Sequence, residues 1–489
     1  MFNFYLNENR KLNIENDKFV AAEYIKSGTV IVVQAPLASV PLPSKRHQRC
    51  NYCLRKAQLQ CCSRCRSAYF CSNECFRNAW LHFHRVLCEP QETDIYKDID
   101  ADRWLLERTA LVLHSHDRLN KQNSYVAEFL KLFDYQISQE DLDLLWHRIK
   151  LSSFPILDTE HHLDQVAIGV YPATSLLTNH SCCPNAALLY KQSTQYIVTI
   201  EDILPGEPIT IAYVDLINTR ARRMQKLKER FGPHFECQCM RCQGELSCLD
   251  AALEKGEECG LTEVEAVELM SRSIKTWSVL DMIKHAQMRE KDSWSSIQVL
   301  EPPQFAHFVS RIAAPDIFYA FVEDKKLLPR ESTYRVFSKE DRAYLRQCIK
   351  IVINTLLTVP HTPAFSLATI HAAESLLIDR IKRGSWVEAS RCASYLIVVY
   401  RLIYPPLHPK VSYHTLILAR SSWNALVEME LIGVNKKLEN IYDVGTGNWI
   451  EIAKNAIDTT FGRDTTLWRD IIELQWVHDR ERKVKKSTS

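Results

Sequence analysis

Two stretches decide how this chain reads: Asn179-His180-Ser181-Cys182-Cys183-Pro184-Asn185, and then Ile200-Glu201-Asp202-Ile203-Leu204-Pro205-Gly206-Glu207-Pro208-Ile209-Thr210-Ile211-Ala212-Tyr213. The first sets polar groups and adjacent cysteines ahead of a proline turn. The second runs through a Pro-Gly-Glu turn into a short strand that ends on a tyrosine. Each alone is an ordinary loop or strand. Downstream, Phe235-Glu236-Cys237-Gln238-Cys239-Met240-Arg241-Cys242 spaces three thiols as a tight metal knuckle does, and three such ligands call for a fourth.

Toward the amino terminus, Cys50-x2-Cys53, Cys62-x2-Cys65, Cys71-x3-Cys75 and His84-x3-Cys88 supply eight soft ligands, enough for two closed tetrahedral sites. The segment has no glycine and little continuous apolar sequence, so metal binding has to supply much of its folding energy. Cys61 beside Cys62, and His82 two residues before His84, are alternative ligands; the spacing to Cys88 favours His84.

Together these motifs resemble the SET and MYND domain family of protein-lysine methyltransferases. Residues 176–242 match the SET motifs NHSC-x-PN, Pro-Gly-Glu and the strand-end tyrosine, followed by a post-SET cysteine segment; residues 50–88, with Tyr69-Phe70-Cys71-Ser72 and Trp80, match the MYND zinc finger. The resemblance implies interleaved MYND sites, one of Cys50, Cys53, Cys71 and Cys75, the other of Cys62, Cys65, His84 and Cys88. It also implies a third zinc on Cys182, Cys237, Cys239 and Cys242, all three ions being structural. Asn179 and His180 would then contact S-adenosylmethionine, Phe235 would pack on its adenine, and Tyr213 would be the active-site tyrosine that also borders the cofactor. The family's histidine lies three residues after the tryptophan, where this chain has Phe83, so one residue is inserted here. MYND modules in the family act as protein-interaction surfaces, often for proline-containing peptides.

The chemistry suits the residues. An amine attacking a sulfonium methyl in line needs positioning above all, and an apolar aromatic channel disfavours the ammonium form of the target lysine.

Departures from the family pattern are local. Tyr24 to Ile31 looks like the I-x-x-G turn and Pro36 like the proline after it, but the Gly-x-Gly cofactor loop falls on Asn16-Asp17-Lys18. Both glycines are missing, so side chains there crowd a cofactor or redirect the loop. Ser152-Ser153-Phe154 stands where the family has Asn-Ser-Phe, and Phe231-Gly232-Pro233-His234 alters the segment that carries a channel aromatic before Phe235. A catalytically weak or inactive scaffold is therefore the rival reading.

The expected class is α+β: a split β-rich SET core with an inserted MYND finger, a zinc-bound post-SET segment and an α-helical TPR-like carboxy-terminal domain. The expected divisions are 1–44 and 164–220 for SET, 45–89 for MYND, 90–163 for a helical insertion, 221–248 for post-SET and 260–489 for the helices. In the last, Gly384 stops a helix and Ser385-Trp386-Val387-Glu388 reads as a capping box for the next, with Trp386, Ala389, Ala393, Leu396, Ile397 and Tyr400 along its buried face.

Composition narrows the partners. The chain has 489 residues, 46% hydrophobic and 25% charged, with net charge +2, so no overall field gathers polyanions. Basic runs at 44–49 and 480–486 are docking or import segments, or simply solvated faces, and a DNA-binding reading ranks last. The longest apolar run, Ser394 to Tyr404, is broken by Arg401 and too short for a bilayer. Without a signal segment, and with clustered thiols among seventeen cysteines, a reducing cytoplasmic and nuclear setting is expected, and a monomer acting on a protein lysine.

Overall fold

β-Branched and aromatic residues alternate through the amino-terminal half, and there they form short strands over a common core. The computed structural model of the chain describes residues 11–16, 18–88, 99–119, 139–160, 162–276, 297–318, 339–432 and 436–488. Of the Asn16-Asp17-Lys18 loop, Asp17 lies outside these. β1 (Leu12–Glu15) and β2 (Lys18–Ala21) make a hairpin, followed by β3 (Val30–Gln34) and β4 (Ser39–Pro41). A small hairpin joins β5 (Gln60–Cys61) and β6 (Tyr69–Phe70). The chain then returns with β7 (Ser153–Leu157), β8 (Gln165–Val170), β9 (Asn179–His180), β10 (Ala186–Lys191), β11 (Thr194–Thr199) and β12 (Thr210–Ile211).

Strands from both sides of the insertion share sheets. β11 lies between β10 and β3, and β8 between β4 and β7, all antiparallel, whereas β12 runs parallel to β9. Phe19, Ile25, Ile31, Phe154, Ile156, Tyr171, Ile197, Ile203, Ile209 and Ile211 close the core between them.

The helical reading of 90–163 holds only in part. Helices cover Ala101–Leu119 and Gln139–Ser152, but from Ser153 the alternation of Phe154 and Ile156, both buried, makes β7 instead. Of the apolar positions at 142–146, only the Trp146 side chain falls among the described residues, and Lys150 Nζ sits 4.6 Å over its ring.

Residues 50–88 repeat one device. Leu54 N–H donates to the Cys50 carbonyl and Arg66 N–H to that of Cys62, both at 2.9 Å, with left-handed Leu54 (φ 64°) and Arg66 (φ 53°) closing each knuckle. Ser72 caps the helix Asn73–Ala79 by accepting from Cys75 N–H at 3.1 Å. At Trp80–His84 the backbone widens into a π-turn, which takes up one extra residue and explains how His84 comes to face the cysteines. Arg108, from helix Ala101–Leu119, fastens this module to the β core. Its guanidinium donates to the carbonyls of Ser39 and Asn51, each at 2.7 Å, and lies 4.0 Å over the Phe83 ring.

Beyond residue 220 the described chain is helical, and the bundle begins at Cys248 rather than at 260: Cys248–Glu257, Glu263–Thr276, Pro302–Ile312, Lys339–Thr358, Leu367–Arg383, Trp386–Ile403, Pro409–Ile432, Lys436–Phe461 and Thr466–Thr488. Helices adjacent in sequence from Leu367 onward pack on one another. Their apolar core runs without a break into Cys182, Leu216, Leu227, Cys237 and Cys242, so the third cysteine group lies at the seam of the two halves. Gly384 ends one helix in the left-handed region at φ 69°.

The capping box at Ser385 does not form. Ser385 makes no side-chain cap, Glu388 is held by Arg380 at 2.7 Å, and Glu428 of the following helix accepts from Trp386 N–H (3.1 Å) and Val387 N–H (3.2 Å) instead. Tertiary contact has replaced the local cap. Among the lone cysteines, Cys348 and Cys392 are buried and Cys248 and Cys259 half-buried. No helix among the described residues is long and apolar enough to cross a membrane.

Candidate active site and metal centres

The eleven cysteines and one histidine singled out above fall into three groups of four: Cys50, Cys53, Cys71 and Cys75; Cys62, Cys65, His84 and Cys88; Cys182, Cys237, Cys239 and Cys242. Within each group the ligand atoms lie within 4.8 Å of one another. The spacings decide what such groups can hold. A disulfide sets sulfurs about 2.05 Å apart, whereas tetrahedral zinc with bonds of about 2.3 Å sets them about 3.8 Å apart. Here Cys53–Cys71 and Cys71–Cys75 are 3.6 Å, Cys62–Cys88 3.7 Å, Cys182–Cys242 3.6 Å, and Cys65 Sγ to His84 Nε2 3.8 Å. The donor sets fit zinc. Cys61 points away, toward its neighbour's carbonyl, and His82 stacks on Tyr52, so neither joins a group.

The electrostatics divide the thiols within each all-cysteine group: hydrogen bonds with neighbouring thiols and burial push Cys53 and Cys182 up, while other members are brought down. A hydrogen bond from Cys53 brings the Cys50 thiol down to about 5, and bonds from Cys182, Cys237 and Cys242 lower that of Cys239. Burial, with a smaller push from Arg108, lowers His84 to about 4, which keeps the imidazole neutral for ligation.

Around the third group lie residues that spacing could not reveal. Arg223 donates from Nε to Cys182 Sγ (3.2 Å) and from Nη2 to Cys242 Sγ (3.6 Å), while gripping Asp250 with two bonds of 2.8 and 2.6 Å. Arg241 also donates to the same carboxylate, sharing its Oδ1 with Arg223, at 2.9 Å. Four thiolates on one Zn2+ leave two negative charges, and a fully buried guanidinium beside them offsets part of that.

His180 links this group to the tyrosine. Its Nδ1 accepts from Tyr213 N–H at 3.1 Å, which leaves the proton on Nε2, 3.4 Å from Cys182 Sγ. Both ring nitrogens are thus engaged within the chain, and the ring is stacked on Tyr213 at 5.6 Å. Asn179 precedes it on β9, held by Thr210 and Ile211 of β12.

Tyr213 stands at the centre. Its hydroxyl lies 2.9 Å from Thr178 Oγ1 and 3.0 Å from the Thr178 carbonyl, and burial holds its pKa above the usual phenol value, so at neutral pH it is a hydrogen-bond donor. Phe154 meets its ring edge-on at 5.6 Å, Phe231 lies tilted against it at 5.3 Å, and Phe231 stacks on Phe235 at 5.0 Å. Phe231 comes from a helix, Arg220–Phe231, which Thr219 caps at its start and Gly232 ends at φ 101°, turning the chain so that Phe235 reaches the same cluster. Gly232 was the sequence signal for this; nothing marked Arg230, whose guanidinium lies over the rings of Phe154, Tyr213 and Phe231.

The departures have structural counterparts. Asn16 adopts φ 48°, so the β1–β2 turn keeps a left-handed residue without glycine. Lys18 extends its ammonium to the carbonyls of Leu176 (3.0 Å) and Thr178 (3.2 Å), the latter shared with Tyr213. Ser152 is buried with its hydroxyl 2.9 Å from that of Ser175.

Comparison with known proteins bears on this arrangement. The SET domain family model matches residues 19–214. The chain is 22% identical over 441 residues to histone-lysine N-methyltransferase ASHR1 of Arabidopsis thaliana, covering 83% of this chain and 84% of that protein. It is 28% identical over 271 residues to histone-lysine N-methyltransferase SMYD3 of Homo sapiens, 49% of this chain and 62% of that one. It is also 28% identical over 228 residues to N-lysine methyltransferase SMYD2 of Bos taurus, 41% of this chain and 51% of that one.

Proposed function

We propose that the chain is a member of the SET and MYND domain family of lysine methyltransferases and that it transfers a methyl group from S-adenosylmethionine to a lysine of a histone or non-histone protein. The observation that carries the reading is the Tyr213 hydroxyl, held against the Thr178 carbonyl inside a ring of aromatic side chains. When bound, the cofactor supplies an electrophilic methyl on a sulfonium. The residues of the chain supply position and environment: Phe154, Phe231 and Phe235 exclude water, which disfavours the charged form of an incoming lysine, and Tyr213 orients its amine. His180 holds Tyr213 in place through the backbone, and Asn179 and Phe235 are the proposed cofactor contacts.

Three structural zinc ions form part of the proposal, as do MYND and TPR-like units that take proline-containing or regulatory proteins, in the cytoplasm and nucleus. Calorimetry with S-adenosylmethionine and radiolabelled methyl transfer onto core histones test it: wild type binds and labels, and Tyr213→Phe still binds while transfer falls on the order of 100-fold. Failure of wild type to bind the cofactor would remove the enzymatic reading. Lys18 at the Leu176 and Thr178 carbonyls favours one alternative, a scaffold that uses its helices for partners and binds no cofactor.

A further inference from the structure

The Arg230 guanidinium lies among the aromatic rings around Tyr213. Its Cζ lies 4.5 Å from the Phe154 ring centre, 4.9 Å from that of Tyr213 and 5.5 Å from that of Phe231. Nε and Nη2 both donate to the Leu151 carbonyl, at 3.2 and 2.7 Å, which fixes the guanidinium among the rings. Three aromatic faces around one cation make the kind of cage that recognises an ammonium or methylammonium group. This cage includes the hydroxyl-bearing ring to which the lysine must be delivered.

The setting is a poor one for a merely structural arginine. No carboxylate among the described residues lies within ion-pair reach of it, and burial brings its pKa down to about 10. A largely desolvated cation balanced by one carbonyl and three π-faces is held less firmly than Arg223, which makes two bonds to the Asp250 carboxylate that it shares with Arg241. It remains charged at neutral pH, so it competes with a lysine side chain for the same faces.

We propose that Arg230 is an internal occupant of the target-lysine cage, a plug that substrate must displace, and so the residue that sets how strongly a lysine has to bind to be methylated. This rests on the methyltransferase reading above. The plug is released by rotation of the Arg230 side chain away from the Leu151 carbonyl, with no change in the strands that carry Tyr213 and His180. A substrate lysine pays for that displacement in apparent affinity, while the geometry of the transfer itself is untouched.

Full-length wild type, Arg230→Ala and Arg230→Met test this, the methionine keeping the packing of the stem should the alanine variant be unstable. With core histones as acceptor, both variants are expected to lower KM about tenfold with kcat unchanged. A second readout needs no turnover: n-butylammonium, which mimics the lysine side chain, binds the variants in NMR saturation-transfer experiments and is excluded from wild type. Unchanged or raised KM, a fall in kcat, or equal butylammonium binding by all three proteins would overturn the plug. If none of the three binds S-adenosylmethionine by calorimetry, the enzymatic reading fails instead, and the two failures are distinguished.

Discussion

Lys18 stands where the family pattern has a glycine, and its ammonium reaches the carbonyls of Leu176 and Thr178, the second of which also accepts from the Tyr213 hydroxyl. A fixed positive charge there opposes a sulfonium, so Lys18→Met is expected to tighten S-adenosylmethionine binding several-fold, about 1 kcal/mol; calorimetry showing weaker binding would mean that the lysine serves the cofactor. Arg223 lends itself to a different measurement. Arg223→Met should leave the third cysteine group poorly neutralised and weaken its hold on zinc by about 10- to 100-fold, read as faster release of one ion to a chelator. The two residues also mark the limit of reading from sequence. The grouped ligands stood out by their spacing, and Tyr213, Asn179 and His180 by the family motifs they resemble, whereas Arg223 and Arg230 lie in the basic run 220–230 and Asp250 in an ordinary helix, and their partners are brought together only by folding. Ser152 was visible as a departure, but not its bond to Ser175.

The elements differ in what holds them. Between residues 50 and 88 the described structure is two knuckles, a two-residue hairpin and short helical turns, whose few buried apolar side chains, Phe70 and Phe83 among them, share a core with Trp104 and Leu105, so metal held by the two ligand groups would carry much of the segment's own cohesion. Purified protein should contain close to three equivalents of zinc and Cys239→Ser close to two; a wild-type value of two, unchanged in that variant, would remove the third site. Chelation should open 45–90 to protease first while the helical signal in circular dichroism persists, and equal protection with and without chelator would contradict this. At the helix Trp386–Ile403, the sequence favoured Ser385 as cap, but Glu428 caps from another helix. Ser385→Ala should therefore change stability by less than ~0.5 kcal/mol, and Glu428→Ala should cost about 1 kcal/mol in urea unfolding. The periodicity gave this helix its extent; the cap needed the neighbour, which no local pattern encodes.

At the scale of the whole molecule, acid should loosen the helical half by a route separate from zinc loss. Burial, helped by Lys410, lowers His408 to about 3, and burial lowers His414 to about 4, both from an ordinary value of 6.5. Each group therefore binds its proton more weakly when folded. Its contribution to stability is complete above pH 6.5 and is lost as the pH falls from there toward the folded values. His408→Phe, which keeps the stacking on Tyr404, should lessen the drop in Tm between pH 7 and 4.5; an identical drop would exclude His408 as a cause. The split β core has a consequence of another kind, for the order in which the chain is made. β3 pairs with β11 and β4 with β8, so strands that leave the ribosome early have their partners only after the whole insertion has emerged. Until then their edges stay open, while residues 50–88, whose ligands are all local, are complete. Zinc capture there should precede closure of the sheet, drawing β4 and the start of the insertion close together and shortening the loop that β8 must close.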